Sequence, residues 1–135
     1  MGSSPVSDAF DADVLIFAVN GNPLGGSILR ALEGSELLLG SVVLLPEVLS
    51  KPLRAGDERE FDALTRVLVR FDLKPVDQEI AEASTTLAAK YHLQAADAIH
   101  LATAVVWGAE RFHSNNRKDF GPHITEVEVV WPATR

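Results

Sequence analysis

Leu93-Gln94-Ala95-Ala96-Asp97-Ala98-Ile99-His100-Leu101-Ala102-Thr103-Ala104-Val105-Val106-Trp107-Gly108 is the stretch on which the reading of the fold turns. Its residues predict a helix over 94–107, stopped at Gly108, that is apolar on most sides and therefore buried. Asp97 and His100 are the titratable side chains on it. A bare carboxylate in such a place titrates upward or recruits a cation. Two readings of Asp97 stand at this point: an acid near a helix start held by free backbone N–H groups, or a ligand for a hard metal ion. His100, one turn on, reads as a packed, hydrogen-bonded histidine or a substrate contact, because hard cations prefer oxygen.

Outward from this helix, apolar runs alternate with helical patterns. Ala9 to Ala18 reads as a buried strand and Asn20-Gly21-Asn22-Pro23 as a turn. Ser27 to Glu33 has helical spacing and stops at Gly34, and Glu36 to Leu45 is a second buried strand. Pro46 suits the first position of a short helix to Arg54. Asp57 to Phe71 predicts an amphipathic helix with Phe61, Leu64, Val67, Leu68 and Phe71 on one face. Phe71 to Pro75 is a short strand, and Asp77 caps a helix that runs to Tyr91. Beyond the Ala-rich helix come a short strand, Arg111 to His113, a polar loop, Ser114 to Pro122, and a last strand, Glu126 to Trp131. Helices between buried strands predict an α/β fold: a three-layer α/β/α sandwich around a central, mostly parallel sheet. Ligand sites in such sheets lie outside the carboxyl ends of the strands. That rule gathers Asp11, Glu47 and the segment Ser114 to Asp119 on one rim.

The 135 residues fit a single domain over 1–135, with residues 1–8 read as a flexible N-terminal extension rather than a signal peptide. Without cysteine there are no disulfides or thiolate metal sites, and a reducing cytoplasm fits. No apolar run approaches the roughly 20 residues needed to span a bilayer. A net charge of −7 argues against a dedicated nucleic-acid binder. Two considerations offset it: a metal cluster needs an excess of acid, and the basic residues can be grouped locally.

Each remaining acid has a plain reading beside a chemical one. In Asp11-Ala12-Asp13-Val14-Leu15, strand alternation points both carboxylates to one side, one capping the strand and the other meeting water, unless Asp11 serves a metal ion. Glu47 falls in the first turn of a helix, where the dipole alone favours an acid. Lys51 and Arg54 share its face, as a surface ion pair worth under about 0.5 kcal/mol or as phosphate contacts beside a ligand. In Ser114-Asn115-Asn116-Arg117-Lys118-Asp119-Phe120, an ordinary capped loop competes with a site. There Ser114 and Asn116 would offer neutral oxygens, Asp119 a carboxylate, and Arg117 and Lys118 positive charge.

Taken together these segments resemble the PIN domain, the metal-dependent nuclease fold found in VapC-type toxins. The resemblance runs from Phe10 to about Trp131. A first strand in that family ends in Asp-Thr/Ser-Asn/Asp and apolar residues, here Phe10-Asp11-Ala12-Asp13-Val14-Leu15. A Glu opens the helix after the second strand, here Leu45-Pro46-Glu47-Val48. A helix carries Asp-Ala-Ile/Leu-His-Leu-Ala, here Asp97-Ala98-Ile99-His100-Leu101-Ala102. A last loop reads Thr-x-Asn/Asp and then Asp-Phe, here Ser114-Asn115-Asn116 with Asp119-Phe120. Two positions depart from the pattern: Ala12 stands where a hydroxyl residue is common, and Ser114 replaces Thr.

The resemblance implies hydrolysis of phosphodiesters in single-stranded RNA with Mg²⁺ or Mn²⁺. Asp11, Glu47, Asp97 and Asp119 would be the catalytic and metal-binding acids. Ser114, Asn116, Lys51, Arg54, Arg117 and Lys118 would meet the substrate. It further implies a homodimer in the cytoplasm, silenced by a small antitoxin with a basic segment. Two rivals remain. Asp11-Ala12-Asp13-Val14-Leu15 also fits the opening motif of haloacid-dehalogenase-like phosphatases, although that class needs a late acidic pair that this chain lacks. A PIN-like fold can also serve as a non-catalytic binding module.

Overall fold

A computed structural model describes residues 7–20, 30, 32–34 and 37–131. Among the described residues five strands, β1 (Ser7–Phe10), β2 (Leu37–Ser41), β3 (Asp72–Lys74), β4 (Arg111–His113) and β5 (Glu128–Val130), form one sheet in the order β3-β2-β1-β4-β5. Every pairing is parallel. The helices are α1 (Ala12–Val19), α2 (Leu44–Ala55), α3 (Glu58–Leu68), α4 (Gln78–Tyr91) and α5 (Ala95–Val106).

Strand alternation divides the core in two. Phe10 and Leu38 pack with Val14 and Leu15 of α1, Leu44 and Val48 of α2, and Leu64 and Leu68 of α3. Ala9 and Leu39 face the other way, against Ile80 and Leu87 of α4 and Ala98, Leu101 and Ala102 of α5. The result is the expected α/β/α sandwich. Ala98, Leu101, Ala102 and Ala104 are fully buried, so α5 is apolar because it is enclosed.

The first apolar run corrects the sequence reading. Ala9 to Ala18 is not one strand: β1 stops at Phe10, and α1 begins at Ala12. Asp11 is the N-cap between them, its Oδ1 accepting from the Val14 backbone N–H at 3.1 Å. The expected strand Glu36 to Leu45 is likewise shorter, with Leu44 and Leu45 already in α2 and Pro46 two residues inside it. The last strand is narrower than Glu126 to Trp131. Ser7 and Asp8, assigned to the N-terminal extension, are buried in β1. The helix expected over Ser27 to Glu33 falls largely outside the described residues. Helices α3, α4 and α5 start and end within a few residues of their predicted limits.

Candidate active site

Strand order fixes where a ligand can sit. From β1 the chain crosses to β2 and β3 on one side, then returns to β4 and β5 on the other. The switch point therefore lies at the carboxyl ends of β1 and β4, where a crevice opens. Asp11 follows β1 and Ser114 follows β4, and the Asp11 backbone N–H donates to the His113 carbonyl at 3.1 Å. A cavity of about 90 Å³ opens there, lined by Asp11, Ala12, Asp13, Glu47, Asp97 and His100. Asp11 and Asp97, 86 residues apart in the chain, face the same space.

Asp11 is held hard. It is 4% exposed. Besides the Val14 N–H, it accepts a 2.6 Å hydrogen bond on Oδ2 from the Ser114 hydroxyl. Burial nevertheless dominates and pushes its pKa from 3.8 to about 6, the two hydrogen bonds lowering it, Asp13 raising it and His100 lowering it. Asp97, in the first turn of α5, is half-buried, and among the described residues no hydrogen bond reaches its carboxylate. Its pKa is also raised, first by burial and then by Asp119, Glu47 and Asp13, against an opposing effect of His100. The backbone-held reading of Asp97 therefore does not apply. Its half-buried charge lacks a donor and stands among other acids.

The loop after β4 is built around its side chains. Ser114 is completely buried. Its Oγ gives its proton to Asp11 and accepts from the Asn116 backbone N–H at 2.9 Å. Asn116 brackets Asp119: Nδ2 donates to Oδ2 at 2.9 Å, and Oδ1 accepts from the Asp119 backbone N–H at 3.1 Å. Ser114 thus supports Asp11, and Asn116 supports Asp119. Phe120, fully buried against Phe112, anchors the end of the loop.

Glu47 projects from the first turn of α2, and its Oε1 is hydrogen-bonded to His100 Nε2 of α5. No ion pair joins it to Lys51 or Arg54 among the described residues. Lys51, Arg54, Arg117 and Lys118 are exposed and do not line the cavity, and Arg117 lies over the Trp131 ring at 4.9 Å. Asp119 reaches the cavity through its field on Asp97. Asp13 and His100 belong to the lining but not to the acids proposed from sequence. With Asp11 recognised as an N-cap, Asp13 would have been placed in the first turn of α1 beside it.

Among the described residues no three Asp, Glu or His side chains are arranged to hold a metal ion as they stand. The donor set nonetheless suits a hard cation: oxygen ligands, a buried carboxylate with a raised pKa and a second without a donor. Mg²⁺ retains several waters, so two protein carboxylates can suffice. Asp11 and Asp97 are the residues that would hold such an ion; Glu47 and Asp13 line the same cavity, and Asp119 acts on Asp97 through its charge.

A family model described as "PIN domain" matches residues 9–121. The fold is similar to that of a toxin–antitoxin complex from Klebsiella pneumoniae, with 27% identity, TM-score 0.70, and 90% of this chain and 98% of that chain covered. It is also similar to VapBC2 from Rickettsia felis, solved with a DNA fragment from its promoter, at 15% identity and TM-score 0.75 over 93% of this chain and 98% of that one. VapC20 of Mycobacterium tuberculosis, described as a sarcin–ricin-loop-cleaving toxin, matches at 14% identity and TM-score 0.63, over 78% of this chain and 86% of that one. No curated protein sequence matches the chain.

Proposed function

The chain belongs to the PIN domain family, and from that premise we propose that it is a metal-dependent endoribonuclease, the toxin of a toxin–antitoxin pair. The observation that carries the reading is the shared cavity of Asp11 and Asp97, two carboxylates of raised pKa at the switch point of a parallel sheet. A divalent Mg²⁺ or Mn²⁺ there supplies the positive charge that activates water and offsets negative charge growing on a phosphate. The chain's own residues prepare that chemistry. The Val14 N–H and the Ser114 hydroxyl fix both oxygens of Asp11, and Asn116 fixes Asp119. In this reading Arg117 and Lys118, on the loop after β4, and Lys51 and Arg54, one and two turns beyond Glu47, meet flanking phosphates. Single-stranded RNA suits the reading because its backbone and bases are accessible. The matched family displaces the phosphatase alternative.

The partner we assign is a small antitoxin with a basic segment, since an acidic cleft on a chain of net charge −7 favours a cationic occupant. The Klebsiella and Rickettsia relatives are toxin–antitoxin assemblies. A homodimer and a cytoplasmic setting complete the reading. Among the described residues no helix is long and apolar enough to cross a membrane.

The test uses labelled single-stranded RNA with Mn²⁺, with Mg²⁺ and with chelator. Cleavage is expected with metal only, and is expected to be lost in Asp11→Asn and Asp97→Asn variants that remain folded. Cleavage by both variants overturns the site. Metal binding with no turnover on any RNA favours the non-catalytic module.

A further inference from the structure

Glu47 poses a problem that the metal reading does not solve. It sits on the exposed first turn of α2, its side chain 33% exposed, on an element separate from those carrying Asp11 and Asp97. A free Glu there samples many rotamers, and the Asp97 carboxylate repels it. Yet it lines the cavity, held there among the described residues by His100.

His100 is the converse case. Its ring is 3% exposed and rigidly enclosed on α5. Its Nε2 bonds Glu47 across 53 residues of chain. Among the described residues its buried Nδ1 meets no hydrogen-bond partner. An ionised Glu47 can only accept, so Nε2 carries the proton. A neutral ring then buries an unused Nδ1 lone pair, and a charged ring buries an unused N–H. Either way one buried polar atom is left unsatisfied, which works against stability. A histidine kept only for packing would be replaced to advantage by an apolar side chain.

We propose that His100 is the positioning residue for Glu47: it ties the first turn of α2 to α5 and holds the Glu47 carboxylate in the site before any cation arrives. The effect rests on the metal reading above, and it acts through Glu47 rather than by touching an ion. Outer-shell hydrogen bonds of this kind commonly set metal affinity by about 10- to 100-fold. His100 also links two packing layers, because α2 covers one face of the sheet and α5 the other.

The test is calorimetric Mn²⁺ binding by the full chain, paired with thermal melts in chelator. Wild type is expected to bind and Asp11→Asn is not. His100→Leu is expected to lose roughly 10- to 100-fold in affinity while melting in chelator at the same temperature or higher. His100→Gln, whose side-chain amide can still donate to Glu47, should recover much of the affinity. His100→Leu combined with Glu47→Gln should bind no worse than Glu47→Gln alone, because the histidine works through that carboxylate. Wild-type affinity in both His100 variants overturns the proposal and leaves the metal reading intact. A lower melting temperature in His100→Leu with unchanged affinity shows a packing role and also overturns it. Binding by wild type no tighter than by Asp11→Asn overturns the metal reading and the positioning role together.

Discussion

Replacing Asp11 with Asn removes a charge that the fold holds at a loss. The carboxyl titrates near 3.8 when solvated and at about 6 in the folded chain. Its folded pKa is raised, so its contribution to stability is fully present below about pH 4 and is lost as pH climbs through about 6. At about 1.4 kcal/mol per pH unit, the loss reaches roughly 3 kcal/mol near neutrality. Asn has nearly the same shape, can still accept from the Val14 N–H and carries no charge to desolvate, but its Nδ2 cannot accept the Ser114 hydroxyl bond, so the gain is an upper bound. With chelator present, Asp11→Asn is therefore expected to be more stable than the parent at pH 7.5 by up to about 3 kcal/mol, or roughly 10 °C in melting temperature. At pH 4.5 the gap should shrink to about 1 kcal/mol. Urea unfolding of both proteins across this range, with chelator throughout, measures it directly. Saturating Mn²⁺ should then stabilise the parent and leave the variant unmoved. A variant less stable than the parent at pH 7.5, or a gap that narrows as pH rises, refutes the electrostatic account of Asp11.

Ser114→Ala removes a buried hydroxyl serving both Asp11 and the Asn116 backbone. Unfolding should cost about 1–3 kcal/mol less, and the midpoint of the Asp11-dependent stability change should move to higher pH. Asp8, 1% exposed, takes both Arg111 Nε and Nη2 and the His113 Nε2. Asp8→Asn should destabilise by about 2–3 kcal/mol in denaturant titrations, because it leaves the Arg111 and His113 donors without a buried acceptor charge. His92 closes α4 with φ of 57°, a left-handed conformation that suits glycine. His92→Gly should raise stability by about 1 kcal/mol, read as a small upward shift in melting temperature.

The layers were legible because the helices carry their own evidence. Asp57 and Asp77 act as N-caps through 3.1 and 2.9 Å bonds to Glu60 N and Ile80 N, and the Ala-rich run of α5 tolerates only burial. The β1–α1 boundary was not legible from periodicity. Val14 to Val19 is apolar throughout, and a continuous apolar run fits a buried strand as well as a buried helix. The deciding signal was the Asp11 cap followed three residues later by Val14, with Asp13 in the first turn. Reading Asp11 as a strand edge concealed it. The acids were legible as residue types in order, whereas the roles of Ser114, Asn116 and His100 were not. Those roles are contacts across a loop or between helices, and no sequence spacing encodes them.

The pairing of β1 with β4 also governs when the site can exist. Asp8, Ala9 and Phe10 pair with Arg111, Phe112 and His113, about a hundred residues downstream. Loops that long close late, and parallel pairings between distant segments slow folding. During synthesis, which proceeds from the N-terminus, the sheet has no centre until the fourth strand clears the ribosome. The hydroxyl that steadies Asp11 arrives one residue after that strand. A nascent chain that has made only β1 to β3 therefore carries Asp11 without the strand and the hydroxyl that hold it, and the cavity is assembled only once β4 and Ser114 have been made.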